Sequence, residues 1–412
     1  MTERPTGRPA GQTAGMPEWQ RLPGGGGLRL AAVGADTRQA WQEIVDSHRD
    51  LAVCHLPEWM DCVREAGPFS DASRLYLAPD GRRLLLPLAK RRHLSGPLSL
   101  YDSWPPYWEG ARDSGGLIAE HGIVTPQDVR DVIADLAALP ALRTRVVPST
   151  ADAGVWAASA PASVARTAMS AYVVDLSGGF EAVWTERFSK KARYKSRKAE
   201  RDGIVVEMDT NGRLLREFGA LYQRSVDAWS QAYFLPTPLA RRVIDGRHPH
   251  AKLEVVARRL GSRCQIWIAR REGRPVSGIV VLSHGAAATY WKGATDKALV
   301  GASGATDLLH RRAIEEACRA GRSRYDLGVS GLASLTAFKM SIGATRQDYE
   351  SYRFERLPLT DTQESLRTGL KRAAGAVHRY RSRGAHAEGG GSGGSGGPGG
   401  PGGSGGSGAS AG

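Results

Sequence analysis

A lysine set between apolar neighbours, Phe338-Lys339-Met340, is the residue whose type and surroundings suit it best for chemistry in this chain. An ammonium held in an apolar surround beside a cleft stabilises the oxyanion that forms when an amine attacks a carbonyl. An ordinary surface lysine fits the residue types as well. Upstream, Tyr325-Asp326-Leu327-Gly328 has the pattern of a short buried strand. There Asp326 is placed to orient a lysine or an amine, or to satisfy the backbone donors of the next turn. Farther upstream, Gly301, Ser303 and Gly304 form a small-residue turn ahead of a helical pattern. Backbone amides at such a helix N-terminus hold anions, so the three are candidate donor-binding residues.

Two further stretches carry recognition chemistry. SKKARYKSRKAER, residues 189–201, has seven lysines and arginines against one glutamate. On a helix, Lys190, Arg193, Arg197 and Arg201 fall on or near one face, with Lys191, Lys195 and Lys198 beside them. Like charges this dense repel one another, which favours a stripe that neutralises phosphates over a merely solvated face. The run DSWPPYW, residues 102–108, packs Trp104 and Tyr107 into a loop that forms either the apolar wall of a ligand cleft or a cap on the core. Cys54, Cys62, Cys264 and Cys318 lie far apart without partner histidines at metal spacing, so no metal site is expected. His248 and His250 are expected in a surface loop. No GxSxG elbow, HExxH, Walker A or GxGxxG after a strand is present; the only GxSxG matches fall in the Gly/Ser tail.

The elements that must position these residues follow from periodicity. Leu308, Leu309, Ala313, Ile314 and Ala317 share one helical face, and Gly321 ends that helix. A flexible loop is expected to deliver Phe338-Lys339. Before this, helices are predicted at 37–45, 57–66, 126–139, 178–201, 213–228 and 238–244. Thr125 is the expected N-cap of the third, with proline at its first position. Strands are predicted at 74–77, 83–88, 143–147, 170–175, 253–258, 264–271, 276–283, 287–292 and 348–355, with turns at Asp80-Gly81 and Glu272-Gly273. The order of elements recurs in the two halves. The fold class is therefore mixed α/β, as two domains of related build at 28–176 and 177–360. A polar arm (1–27) and a Gly/Ser tail (388–412) are expected to be disordered. Residues 361–387 form a basic amphipathic pattern that suits a helix docked on its own protein, or contact with RNA or an anionic membrane surface.

The chain has 412 residues and a formal charge of +14. That balance favours polyanionic partners, although arginine-rich composition with abundant alanine and glycine also accompanies a high-GC genome. The N-terminal residues lack the apolar core of a signal peptide, and no apolar run approaches bilayer length, so a cytoplasmic location is expected.

VVDLSGGFEAVW, FSKKARYKSRKAERDGIVVE, GASGATDLLHRRAIEEACRAG, YDLG and AFKMSIGATR, in that order and spacing, resemble the FemAB-like branch of the GNAT acyltransferase superfamily over residues 170–356. HLPEWMDC resembles that branch's N-terminal half more weakly. The resemblance implies a tandem GNAT fold and transfer of an aminoacyl group from aminoacyl-tRNA, or an acyl group from acyl-CoA, to an amine. The acceptor would be a cell-wall precursor, a peptide or a sugar. Phe338-Lys339 stands where the family's Phe-Lys pair stabilises the reacting carbonyl, and Arg193 and Arg197 match phosphate-binding residues of its inter-domain helix. No permanently bound cofactor is implied; the donor is a co-substrate. The CoA-pyrophosphate pattern Arg/Gln-x-x-Gly-x-Gly/Ala is not intact over 297–305, and the long coiled-coil arm of some relatives is missing. Aminoacyl-tRNA is therefore the preferred donor and acyl-CoA the alternative. A non-catalytic protein of the same fold that binds RNA or an anionic surface is the rival from another class.

Overall fold

The computed structural model describes residues 19–22, 26–31, 37–103, 108, 115–232, 250–301, 303–330 and 332–356. Trp104, Tyr107, His248, the expected helix at 238–244, and everything beyond Arg356 lie outside them, as does most of the N-terminal arm.

Sixteen strands are described: β1 (Trp19–Arg21), β2 (Arg29–Ala31), β3 (Phe69–Asp71), β4 (Arg74–Leu77), β5 (Arg83–Leu86), β6 (Ala89–Arg91), β7 (Ser99–Asp102) and β8 (Ile118–Ala119) in the first part of the chain. They continue with β9 (Ala141–Val146), β10 (Ala165–Asp175), β11 (Val205–Asp209), β12 (Cys264–Arg271), β13 (Arg274–His284), β14 (Ala287–Thr295), β15 (Arg324–Val329) and β16 (Thr345–Glu355). The first helices are α1 (Arg38–Ser47), α2 (Pro57–Ala66), α3 (Pro126–Ala138), α4 (Ala153–Ser159), α5 (Gly179–Ala182) and α6 (Lys190–Arg201). They are followed by α7 (Leu215–Ala232), α8 (His250–Leu260), α9 (Lys297–Val300), α10 (Ala305–Arg319) and α11 (Ala333–Ser341).

An 11-stranded sheet of order β11-β12-β13-β14-β15-β10-β16-β9-β7-β6-β3 runs through both halves, and a smaller sheet, β1-β2-β4-β5-β8, lies in the first. The expected boundary at residue 176 falls just after β10, yet β10 pairs on both sides with strands of the second half, β15 and β16. Local signals explain many elements. Thr125 accepts the Asp128 amide at the start of α3, and the Asp128 carboxylate returns the bond to the Thr125 amide. Glu272 and Gly273 both take positive φ, which joins β12 to β13 in a two-residue hairpin. Val276–Leu282 is buried on both faces, which is why β13 shows little polar alternation.

Three expectations are corrected. Residues 253–258 are not a strand but part of α8, because Leu253, Val256, Ala257 and Leu260 bury one helical face (i, i+3, i+4, i+7), and this outweighs the β preference of Val255-Val256. The stretch 178–201 is not one helix. A π turn over Val183–Arg187 gives way to extended Phe188, and Ser189 caps α6 by accepting the Ala192 amide. Finally, Phe338-Lys339 lies not in a flexible loop but on helix α11.

Candidate active site

The organising feature is a parallel pair that comes apart. β14 and β15 pair only through Ala287–Thr289 with Arg324–Asp326, although β14 continues to Thr295 and β15 to Val329. Thr289 and Asp326, both buried, face each other at the last rung. Beyond it the strands cease to pair with one another, and each carries a bulge. On β14, Val281 faces Tyr290 but Val280 faces Lys292, so Trp291 is the extra residue. On β15, the register steps from Asp326 opposite Val173 to Val329 opposite Ala171, and Gly328 supplies a left-handed φ of 65°. Bulges re-aim side chains and free backbone groups beside active sites.

Lys339 reaches the bulged end of β15. It is 2% exposed, and its Nζ donates to the carbonyls of Gly328 at 3.1 Å and Val329 at 2.8 Å, with the Tyr172 ring at 5.4 Å. An ammonium has three donors, so one remains after these two bonds. Burial lowers the Lys339 pKa to about 8, against a partial opposing pull from the Asp326 carboxylate. Asp326 Oδ1 accepts the Gly328 amide at 2.7 Å, which fixes the bulge. Sequence reasoning thus brought together two residues that the fold does place around one turn of backbone. Phe338 is partly buried and meets the His310 ring edge-on at 5.3 Å.

His310 is the residue that sequence reasoning passed over. It lies on α10 beside Leu309, fully enclosed by Tyr290, Tyr325 and Phe338, and its Nδ1 is 3.1 Å from the Tyr325 hydroxyl. Burial, then the nearby Lys339 charge, lowers its pKa to about 3, so it is neutral at physiological pH. Burial likewise raises Tyr290 to about 12 and drives Tyr325 well above the usual phenol range. A single histidine on an apolar helical face was the available signal. It is shared by many core histidines.

Toward the first half of the chain, Thr289 and Trp291 join Val53, Cys54, Trp59, Trp108 and Leu282 around a small cavity. Trp59 stands edge-on to both Trp108 (5.5 Å) and Trp291 (5.7 Å). The buried Lys252 ammonium lies 5.2 Å from the Trp108 ring centre, and burial lowers its pKa to about 8. Trp108, the last residue of the aromatic run, is therefore a wall residue. Lys252 stands just ahead of the stretch expected as a strand, and its residue type alone gave no signal.

The remaining candidates sit at the other end of α10. Gly304, at φ 73°, is the N-cap residue, and a Cβ there would stand 2.3 Å from the Lys195 carbonyl oxygen of α6. Close helix packing thus requires this glycine. Ser303 is buried, with its hydroxyl at 3.3 Å from the Ala305 amide. Gly301, at φ 44°, adjoins open space. Asp307 occupies the first turn of α10, buried, with Lys195 at 3.9 Å; burial raises its pKa. On α6, Arg193 donates to the Trp184 and Thr185 carbonyls within the π turn. Arg197 and Arg311 both lie over the Trp184 ring, at 5.6 and 4.7 Å. Arg197 and Arg201 are exposed. Among the described residues, no group of three or more His, Cys, Asp or Glu is arranged to hold a metal ion.

Residues 186–340 match the acetyltransferase (GNAT) domain family, a span that contains the parting strands, α10 and Lys339. FemX has the same fold: its crystal structure superposes with a TM-score of 0.56 at 13% identity, covering 81% of this chain and 98% of that one. L-PGS from Bacillus licheniformis aligns over 85% of this chain and 97% of its own (TM-score 0.45, 13% identity). A tandem GNAT protein from the clavulanic acid biosynthesis pathway aligns over 80% and 99% (TM-score 0.43, 13% identity). No curated protein sequence matches.

Proposed function

We propose that this chain, which carries a GNAT acetyltransferase domain within a FemX-like fold, transfers an acyl group to an amine and forms an amide bond. The observation that carries the reading is Lys339, a buried ammonium held by two carbonyls where β15 bulges away from β14. The acceptor amine attacks the donor carbonyl, and the third Lys339 N–H, with backbone amides freed by the bulges, stabilises the tetrahedral oxyanion. With aminoacyl-tRNA as donor the new N–C bond forms as the ester C–O bond breaks, and the proton lost by the amine ends on the leaving ribose oxygen; with acyl-CoA the thioester C–S bond breaks and the proton ends on the leaving thiolate. Lys339 serves as a charged donor throughout, and the buried, neutral His310 and the tyrosines around it keep water from Phe338 and the lysine stem.

Aminoacyl-tRNA is the donor this reading prefers. Lys195 backbone packs on Gly304 and the carboxyl of Asp307 fills the first turn of α10, which disfavours a pyrophosphate there. The exposed Arg197 and Arg201, one turn apart on α6, suit the phosphates of a nucleic acid. Acyl-CoA is the alternative donor, favoured by the open space at Gly301. The resemblance to Fem-type enzymes points to an amine of a cell-wall precursor, peptide or sugar as acceptor. Thermal unfolding with charged tRNA or with acetyl-CoA separates the donors. Stabilisation by acetyl-CoA alone rejects the tRNA version. Salt-sensitive RNA binding with turnover absent for every donor would favour the non-catalytic alternative.

A further inference from the structure

Helix α6 sorts its cations by face. Ala192, Ser196 and Ala199 (i, i+4, i+7) are its buried side. The opposite side, at i, i+4, i+7 and i+11, carries Lys190, Tyr194, Arg197 and Arg201, all exposed. Cations off this stripe are already engaged: Arg193 bonds the π turn, Lys195 lies 3.9 Å from Asp307, and Lys198 pairs with Asp202. Lys190, Arg197 and Arg201 form no ion pair among the described residues, and neither does the exposed Lys191 on the stripe's flank. Asp307 and Asp202 feel Lys191 and Arg201 only at longer range. Arg197 leans on the Trp184 ring, which steadies the guanidinium without neutralising it.

A row of unpaired cations attracts a polyanion, and the tyrosine within it narrows which one. Tyr194 is 58% exposed, with Lys190 one turn before it and Arg197 one turn after it. A single-stranded nucleic acid fits that alternation, with its phosphates on the cations and an unstacked base on the ring. A duplex keeps its bases stacked and offers the ring nothing. An anionic bilayer asks for aliphatic side chains beside the cations, and this stripe holds none. From Lys190 to Arg201 the helix rises roughly 16 Å, the length of four or five stacked nucleotides at about 3.4 Å each. The stripe also starts in the right place. At the N-cap of α6 the Ser189 amide donates to the Ser341 carbonyl at 2.8 Å, on the helix that carries Lys339.

We propose that the outer stripe of α6 holds the unpaired, acyl-bearing 3′ end of the donor tRNA. Tyr194 stacks a base, and Lys190, Arg197 and Arg201 take phosphates. This rests on aminoacyl-tRNA being the donor, and it adds Tyr194 as a recognition residue and a single strand as what is recognised. The 3′ terminus lies toward Lys190 and the paired stem beyond Arg201.

Fluorescence anisotropy of the full chain with a labelled RNA oligonucleotide ending in CCA tests this without any turnover. The single strand should bind more tightly than the same oligonucleotide annealed to its complement. Tyr194→Ala should weaken single-strand binding about tenfold, and Tyr194→Phe, which keeps the ring, should not. Arg197→Ala, Arg201→Ala should weaken it and lower the slope of log affinity against log salt by about 1.4, for two phosphates. Each variant's melting temperature reports whether it folds. Binding unmoved by Tyr194→Ala, equal affinity for the duplex, or an unchanged salt slope overturns the proposal. So does binding to phosphatidylglycerol vesicles with none to RNA, which would give the surface to a membrane. The donor reading fails separately. Tyr194-dependent strand binding, with amide formed from acetyl-CoA but not from charged tRNA, upholds the strand-binding surface and rejects the donor. Amide formed from charged tRNA with a KM unmoved by Tyr194→Ala keeps the donor and overturns the surface.

Discussion

Replacing Lys339 by methionine keeps the stem and removes the charge, and its consequences for stability and for activity differ in size. In the folded protein the ammonium is buried, and its pKa falls from 10.5 to about 8. That difference corresponds to a penalty on the charged form on the order of 3 kcal/mol. Against it, methionine leaves the Gly328 and Val329 carbonyls without their donor, which costs about 1–3 kcal/mol each when such groups are buried. The net change in stability at neutral pH therefore lies between a gain of about 1 and a loss of about 3 kcal/mol. The lysine binds fewer protons folded than unfolded between pH 8 and 10.5, so the wild-type protein gains stability relative to Lys339→Met as pH rises through that window. Thermal unfolding of both proteins at a series of pH values measures this. Turnover behaves otherwise. Loss of a charged oxyanion donor lowers kcat by roughly a hundredfold to a thousandfold, and wild-type activity should fall as pH rises through about 8, where Lys339 loses its proton. Amide formation by Lys339→Met within a few-fold of wild type, or a wild-type profile flat across pH 8, refutes the catalytic role.

Other substitutions probe the surroundings. Asp326→Asn keeps an acceptor for the Gly328 amide but removes the charge that supports Lys339, so the alkaline fall in activity should move to lower pH; an unmoved profile would separate the two residues. His310→Phe keeps the aromatic contacts and deprives the Tyr325 hydroxyl of its partner, with a loss of about 1–3 kcal/mol in chemical denaturation. His310 itself should contribute no limb to the pH profile above about pH 4, because its pKa is near 3. Gly304→Ala forces a side chain against the Lys195 carbonyl at a left-handed φ, and should lower stability by more than about 1 kcal/mol, read as a drop in melting temperature.

Residue pattern was enough wherever a local rule decided the outcome. Pro57–Ala66, Arg74–Leu77 and Cys264–Arg271 form with the expected bounds, and the Thr125 cap and Glu272-Gly273 turn form as their chemistry dictates. These signals depend on neighbours a few residues away. The α8 helix failed because Val255-Val256 favours a strand locally, while the buried face that decided it exists only once α2 packs there. The cleft could not be read at all: the pairing of β14 with β15 joins residues separated by α9 and α10, and where it stops is set by two bulges.

The stretch from Gly301 to Ala344 shows the division within one segment. Its sequence alone determined a helix through Leu308 and Ala317 that ends by Gly321, a strand through Tyr325 and a lysine among apolar residues, since periodicity and residue type are local properties. Tertiary structure decided that Gly304 is a helix-packing glycine, that His310 is sealed among three aromatic rings, and which way α11 faces. Residue type alone puts Lys339 in water. The carbonyls left free by the bulge in β15 reverse that preference, because two buried acceptors can hold an ammonium that burial alone would expel.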